Sequence, residues 1–334
     1  MVTRCTLAVD VMSGDFGPRV AVPAALDFSA LNPDTRLILV GDPVQIESYL
    51  PARYSGQLCI EATQSVITMT AKPSVALRKG KDSSMYRAVK LVAEGRADAC
   101  ICAGNTGALM AMGHYLLHMH PGIDRPAIAT TIPTRKGHCY MLDLGANVDC
   151  SAEHLFQFGL MGAALAEALD EVEAPRVALL NVGVEEVKGN EQVKLASRLL
   201  REHAALNYIG YIEGNDIYSG KADVVVCDGF VGNVALKSSE GLARLIAEQL
   251  KQSFNSSWYR KVVGLLAMPV LNQLKQQLDP SRRNGASLLG LQGIVVKSHG
   301  SATRECFGYA IAQAQAEVLR DVPGLINAKL GQIV

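Results

Sequence analysis

Residues 99–108 read Ala99-Cys100-Ile101-Cys102-Ala103-Gly104-Asn105-Thr106-Gly107-Ala108. The opening apolar run shows no polar alternation, which describes a strand buried on both faces, as in a parallel sheet covered by helices. The glycine and polar residues that follow predict a tight turn. A helical pattern over Gly107–Leu117 comes directly after it. Strand, polar glycine turn and helix, in that order, are the repeating unit of an α/β fold.

The same unit recurs on both sides. Further strands are predicted at Cys5–Val11, Arg36–Gly41, Gln57–Ala62, Ala127–Ile132, Cys139–Leu144, Arg176–Val182, Asp223–Cys227 and Gly293–Lys297. Helices are predicted at Arg19–Ser29, Ser84–Glu94, Ala152–Val172, Glu191–His203, Val234–Gln252 and Ala302–Arg320. The rhythm predicts a three-layer α/β/α sandwich, Rossmann-like, with a mostly parallel central sheet.

The 334 residues form one expected domain, 1–334, with an amphipathic helical insertion at about 254–284. With 49% hydrophobic and 19% charged residues, the chain can bury a sizeable core. Lys plus Arg equals Asp plus Glu at 32 each, so the net charge is zero and no nucleic-acid partner is expected. The eight cysteines are scattered through apolar runs and read as reduced, buried thiols. Met1 leads into a strand pattern without a secretory signal, so a cytoplasmic location is expected. No apolar run approaches the roughly 20 residues that span a bilayer.

Ligands of open α/β sheets bind beyond the carboxyl ends of strands, where helix N-termini offer free N–H groups. Five glycine-polar clusters occupy such junctions: Asp10–Pro18, Ala103–Ala108, Asp143–Asn147, Asp228–Asn233 and Lys297–Gly300. Together they predict a cleft of backbone donors and small side chains, suited to an anion and a carbonyl oxygen. Several other chemistries lack their signatures. There is no Gly-x-Gly for a dinucleotide, no P-loop and no Gly-x-Ser-x-Gly elbow. His114 and His118 are predicted to share a helical face near His120, but no acidic or cysteine ligand accompanies them, so no metal site is expected.

The motifs Asp10-x-Met-x-Gly-Asp-x-Gly-Pro18, Ser83-Ser-Met85, Ala103–Ala108, Asp143-x-Gly-Ala-Asn147 and Lys188-Gly-Asn-Glu191 resemble those of one family. So do Gly214-Asn-Asp-Ile217, Asp228-Gly-Phe-x-Gly-Asn233, Asn284–Gly290 and Val296-Lys-Ser-His-Gly300. In combination and order they resemble the acyl-acyl carrier protein:phosphate acyltransferase family, PlsX. Ser13, Thr70-Ala71-Lys72 and Arg283 depart from the family pattern. The resemblance implies a fold akin to phosphotransacetylases and isopropylmalate dehydrogenases. It also implies a homodimer, peripherally attached to the membrane, whose acyl phosphate product feeds a membrane glycerol-3-phosphate acyltransferase at the start of phospholipid synthesis.

In such a reaction phosphate attacks the thioester of an acyl carrier protein directly, so no protein nucleophile, metal or redox cofactor is expected. Lys188 is a candidate either to bind phosphate or to protonate the leaving thiolate. Asn233, at a predicted helix start, is a candidate oxyanion donor. His299 is a candidate acid, base or donor. Phosphate or substrate contacts are expected from Asp10, Gly14, Asp15, Asn105, Thr106, Asn147, Asn215, Asp228, Gly232, Lys297 and Ser298. A dehydrogenase of the same broad fold is the alternative, with Asp143, Asp223 and Asp228 as its candidate metal carboxylates. A non-catalytic membrane adaptor is a third reading.

Two surfaces have expected partners. An acidic carrier protein is expected to meet basic residues, either Arg78, Lys79 and Lys81 or Arg282 and Arg283 beside Arg260 and Lys261. In 254–278, Trp258, Val262, Leu265 and Leu266 fall on one helical face. Pro269 is predicted to break the helix, and Val270, Leu271, Leu274 and Leu278 form a second stripe. Two short amphipathic helices suit a membrane surface.

Overall fold

The computed structural model describes residues 5–54, 57–204, 206–278 and 284–331. Its strands are β1 (Cys5–Asp10), β2 (Thr35–Gly41), β3 (Leu58–Ala62), β4 (Ala99–Cys102), β5 (Ala127–Thr134), β6 (Gly137–Leu142), β7 (Arg176–Leu180), β8 (Asn207–Ile212), β9 (Val224–Val226), β10 (Ala286–Leu289) and β11 (Ile294–Lys297). They form one sheet in the order β3-β2-β1-β4-β11-β10-β5-β6-β9-β7-β8. Its helices are α1 (Pro18–Leu31), α2 (Pro43–Glu47), α3 (Pro73–Lys79), α4 (Ser84–Ala93), α5 (Thr106–Leu117), α6 (Ala152–Asp170), α7 (Glu191–Glu202), α8 (Gly229–Asn255), α9 (Trp258–Leu278), α10 (Arg304–Leu319) and α11 (Val322–Leu330).

The alternation of side chains along each strand divides the core between two helix layers. Leu7, Val9, Ile101 and Val296 face α1 and α10, and Leu142, Leu179 and Val226 face α6, α7 and α11. Ala8, Cys100, Cys102, Val295 and Val225 face the opposite layer, built by α3, α4, α5 and the start of α8. The three-layer sandwich expected from the sequence is present. All eight cysteines are free, and six of them are buried.

Pairing is parallel from β3 through β11. It is antiparallel at β11–β10, β10–β5 and β5–β6, then parallel again through β9, β7 and β8. The two parallel groups therefore run in opposite directions. Val296 pairs with Ser287, and Ser287 pairs with Ala129. One residue along, Thr130 pairs with Met141. The carboxyl ends of β11 and β6 thus reach nearly the same level, three strand spacings or roughly 14 Å apart. Helix α8 leaves the end of β9 and runs back toward the other group.

The structure adds two strands to those predicted. β8 is the sheet's last strand, interrupted by Gly210, and its pairing with β7 is irregular between Val177 and Leu179. β10 has four residues, too few for a periodicity to register. The predicted break at Pro269 is also corrected, because α9 continues through it. A proline removes one N–H donor, and the Leu, Ala, Met and Gln residues around it favour helix strongly enough to carry the turn. The side chains of Leu274 and Leu278, and all of Arg282 and Arg283, lie outside the described residues. His118 closes α5 at φ 58° instead of extending a helical face with His114, and no metal-holding group of His, Cys, Asp or Glu occurs among the described residues.

Glu317 ties α10 to the short strand β10. It is 2% exposed, accepts from the Ser287 hydroxyl, and accepts from Gln313 Nε2 at 2.9 Å. Burial pushes its pKa up to about 7 from the ordinary 4.5. The folded value lies above the unfolded one, so this contribution to stability is whole below about pH 4.5 and is lost as pH rises to about 7. The loss amounts to about 3 kcal/mol. Glu317→Gln is therefore expected to raise the unfolding free energy at pH 8 by about 1–3 kcal/mol and to flatten its pH dependence in urea titrations. A variant that is no more stable at pH 8 and keeps the wild-type slope contradicts this.

Candidate active site

The ends of β1, β4 and β11 form the first half of the site. Asp10, Cys102 and Lys297 are adjacent in register, in a row across these three strands, on the side facing α5 and α8. Asp10 is fully buried and works as a loop organiser. Its carboxylate accepts from the N–H groups of Met12 and Ser13 at 3.2 and 3.3 Å, from the Ser13 hydroxyl, and from the Cys102 thiol at 3.0 Å. Gly14 follows at φ 90°, where a Cβ would lie 3.0 Å from both Ala103 Cβ and the Gly300 carbonyl. The close approach lets Asp15 N–H donate to that carbonyl at 2.8 Å, joining the first and last loops. The Asp15 side chain is exposed beside them.

Asn105 caps α5 by accepting from Ala108 N–H at 2.9 Å. Its amide nitrogen donates to Met69 and Ala71 carbonyls at 2.7 and 3.0 Å. Both ends of this side chain are therefore spent on placing the 68–71 loop, and Thr106 opens the helix behind it. Ser298 is fully buried and accepts from Asn284 Nδ2 at 2.7 Å, so its hydroxyl supports the loop. Asn284 opens the Asn284–Gly290 motif. It also donates to the Cys306 carbonyl at 2.8 Å and accepts from His299 N–H at 3.0 Å, which fixes the 298–299 turn.

His299 Nδ1 accepts from Ser301 N–H at 3.2 Å and lies 2.9 Å from the Ser301 hydroxyl. That bond assigns the remaining proton of the neutral ring to Nε2. Burial, then the nearby Lys237 ammonium, lower the His299 pKa. The ring is thus a neutral donor through Nε2. Lys297 is 9% exposed, its ammonium donates to the Ser298 carbonyl, and no carboxylate lies within ion-pair distance among the described residues. Burial lowers its pKa against the pull of Cys102, Asp10 and Asp15.

The second half sits at the ends of β6, β9 and β7. Asp143 is buried and accepts from Ile128, Ala146 and Asn147 N–H at 3.0, 3.1 and 2.6 Å, and from the Asn147 amide at 3.0 Å. Burial raises its pKa while these donors pull it down. The second Asn147 amide hydrogen goes to the Pro126 carbonyl at 2.8 Å, so Asn147 too is structural. Asp228 caps α8 through Val231 N–H at 2.8 Å. Gly232 presses against β6, where a Cβ would stand 1.9 Å from the Asp143 carbonyl oxygen.

That contact turns the next residue, Asn233, outward against Gly145; it is exposed, and its amide makes no hydrogen bond among the described residues. Lys188 is exposed in the loop after β7, the strand beside β9, with an ammonium that has no ion pair among the described residues. Asn215 makes no side-chain capping bond. It follows β8 and opens the short 3₁₀ turn Asp216–Tyr218, which lies against β5 and is bonded to α8 through Tyr218 and Ser239.

The two halves meet through α8. Lys237 follows Asn233 by one turn and acts electrostatically on both Lys297 and His299. Sequence position alone gives no hint of this, since 60 residues separate Lys237 from Lys297. The arrangement offers three lysine ammoniums, a neutral imidazole donor, an uncommitted amide and the N-terminus of a 27-residue helix. These are groups that hold an anion and stabilise an oxyanion.

The family model described as "Fatty acid synthesis protein" matches residues 5–324. A phosphate acyltransferase of Pseudomonas paraeruginosa is 54% identical over 331 residues, covering 98% of each chain. That of Halorhodospira halophila is 54% identical over 337 residues, covering 100% of this chain and 98% of its own. Among solved structures, a phosphotransacetylase from Streptococcus pyogenes superposes with a TM-score of 0.64 at 18% identity, covering 95% of both chains. A 4-hydroxythreonine-4-phosphate dehydrogenase from Klebsiella pneumoniae gives 0.54 at 14%, covering 94% and 97%. These two share the fold. The agreement of family model and full-length relatives identifies the chain as a member of the phosphate acyltransferase family.

Proposed function

We propose that the protein transfers a fatty acyl group from acyl-acyl carrier protein to inorganic phosphate, releasing acyl phosphate for the first step of phospholipid synthesis. The observation that carries this reading is a buried Lys297, with no carboxylate at ion-pair distance among the described residues, at a strand end near which α8 carries Lys237 and, one turn before it, the uncommitted Asn233 amide. A phosphate oxygen attacks the thioester carbonyl, and a tetrahedral oxyanion forms. The carbon–sulfur bond then breaks, and the thiolate takes a proton to become the carrier's free thiol. Lys297 and His299 Nε2–H bind phosphate; Asn233 and the α8 N-terminus face the oxyanion; Lys188 supplies the proton or holds the departing sulfur.

The dehydrogenase alternative needs three carboxylates around one ion. Asp143 is saturated by four donors, Asp228 caps a helix, and Asp223 precedes β9 and pairs with Arg176 through two bonds of 2.9 and 2.7 Å. Their separate commitments favour acyl transfer. The discriminating experiment offers purified protein acyl-acyl carrier protein with phosphate and, separately, NAD with a hydroxy acid. Phosphate-dependent loss of thioester is expected; hydride transfer to NAD without thioester loss contradicts the proposal.

The carrier docks on the basic end of α3, beside the 68–71 loop that Asn105 holds. Arg78, Lys79 and Lys81 are exposed there. Replacing Arg78 and Lys79 with Glu is expected to raise the KM for the carrier several-fold more than the KM for phosphate. Equal changes in both contradict a docking role.

Helices α8 and α9 carry unpartnered apolar residues, with Leu242, Leu245, Ile246 and Leu250 on the first, and Trp258 (79% exposed), Leu265 and Leu266 (77%) on the second. The α8 stripe is assigned to a second copy in a homodimer, and 254–278 to a membrane surface beside a glycerol-3-phosphate acyltransferase that consumes the product. No described helix is long and apolar enough to cross a membrane. An exposed tryptophan next to Tyr259, Arg260 and Lys261 suits an anionic interface. Leu266→Glu is expected to weaken binding to anionic liposomes and leave turnover in solution largely intact. A variant that instead unfolds or becomes monomeric shows that the stripe is structural.

A further inference from the structure

We infer that Lys237 is the second cation of the phosphate site, reaching across from α8 to bind the anion together with Lys297, with Glu240 as its partner when the anion is absent. This inference rests on the acyl-transfer reading but can be tested apart from it.

Lys297 is a buried ammonium whose hydrogen-bond acceptor is a neighbouring backbone carbonyl. A charge removed from water without an ionic partner is costly, and an incoming anion relieves that cost. Lys237 is brought near it, and near His299, from the other half of the sheet, so two ammonium groups converge, of which Lys297 has no carboxylate at ion-pair distance among the described residues. The convergence is held by the fold. The third turn of α8 is fixed where the Ser239 hydroxyl donates to the Ala235 carbonyl at 2.7 Å and bonds the Tyr218 hydroxyl. Ala235 and Leu236 pack on the core. Lys237 lies between these anchors, one turn beyond Asn233, on the same side of the helix.

Glu240 accepts from Lys237 Nζ at 2.8 Å, an i,i+3 pair whose lysine side chain is 54% exposed. Exposed pairs of this kind are weak. A phosphate dianion that also meets Lys297 and His299 displaces the Glu240 carboxylate from the ammonium. Phosphate then bridges the two halves of the sheet and brings the Asn233 turn to the thioester. Occupancy by phosphate and placement of the oxyanion donor become one event.

The test is direct binding of inorganic phosphate to the full-length protein, followed by calorimetry and by phosphorus NMR, alongside steady-state kinetics. Lys237→Gln is expected to weaken phosphate binding by about tenfold or more, as loss of one charged hydrogen bond does. The KM for the acyl carrier should stay within about twofold, and Lys237→Arg should retain most of the affinity. Glu240→Gln is expected to tighten phosphate binding. Unchanged phosphate affinity in Lys237→Gln, or no phosphate binding by the wild type, overturns the inference. If acyl phosphate forms but the Lys237→Gln phosphate KM is unchanged, the clamp fails and the acyltransferase reading stands. If phosphate binding depends on Lys237 but no acyl phosphate forms, the clamp stands and that reading fails.

Discussion

Asn233→Ala lowers turnover by about 10²-fold, the usual cost of losing one oxyanion donor, and leaves the fold intact. The side chain is exposed on the second turn of α8 and makes no hydrogen bond among the described residues, so its removal leaves no polar partner unsatisfied. If its amide meets the carbonyl oxygen only when charge develops there, kcat falls and the KM values change little. Lys188→Ala is expected to show a loss of similar size for a related reason. Its ammonium has no ion pair among the described residues, and the Lys188 carbonyl, which accepts from Asn181 at 3.3 Å, survives the substitution. Steady-state kinetics with circular dichroism checks both. Wild-type turnover in either variant removes that residue from the chemistry.

Gly232→Ala is expected to cost about 3 kcal/mol of stability or more, and turnover with it. The added methyl overlaps a backbone carbonyl at 1.9 Å, which no rotamer relieves. Either the end of β6 or the first turn of α8 must move, and Asn233 moves with that turn. Gly241, on the same helix, supplies the control. A Cβ there meets nothing within 4 Å, so Gly241→Ala should be neutral or slightly stabilising. Urea unfolding of the two variants, with kcat for each, reads the contrast. Equal stabilities show that the α8 turn is not held against Asp143 as described.

The difference between these two glycines was not legible in the sequence, and it shows where reading a chain alone runs out. Local signals carried well. Asn105, Ser83, Asn190 and Asp228 each cap a helix where a polar residue follows a strand or turn, because capping is decided by neighbours three residues away. The strand ends, and so the neighbourhood of the site, followed from that. What each polar residue does there depends on partners far along the chain. Asp10, Asn105, Asn147 and Ser298 were expected to touch substrate, and all four make hydrogen bonds that hold loops. A buried polar group must satisfy its hydrogen bonds, and the partners were backbone groups that no motif names. Lys237 came into view only through the opposed directions of the two strand groups. β8 and β10 were missed because an edge strand and a four-residue strand carry little periodicity.

The central claim is that the acyl group passes from the carrier's thioester to phosphate. The most direct measurement incubates purified protein with acyl-acyl carrier protein and phosphate, with no metal added, and quantifies both products by mass spectrometry. Acyl phosphate and free carrier thiol are expected to appear in equal amounts, with neither formed when phosphate is withheld. Thiol released without phosphate, or free fatty acid in place of acyl phosphate, contradicts the account.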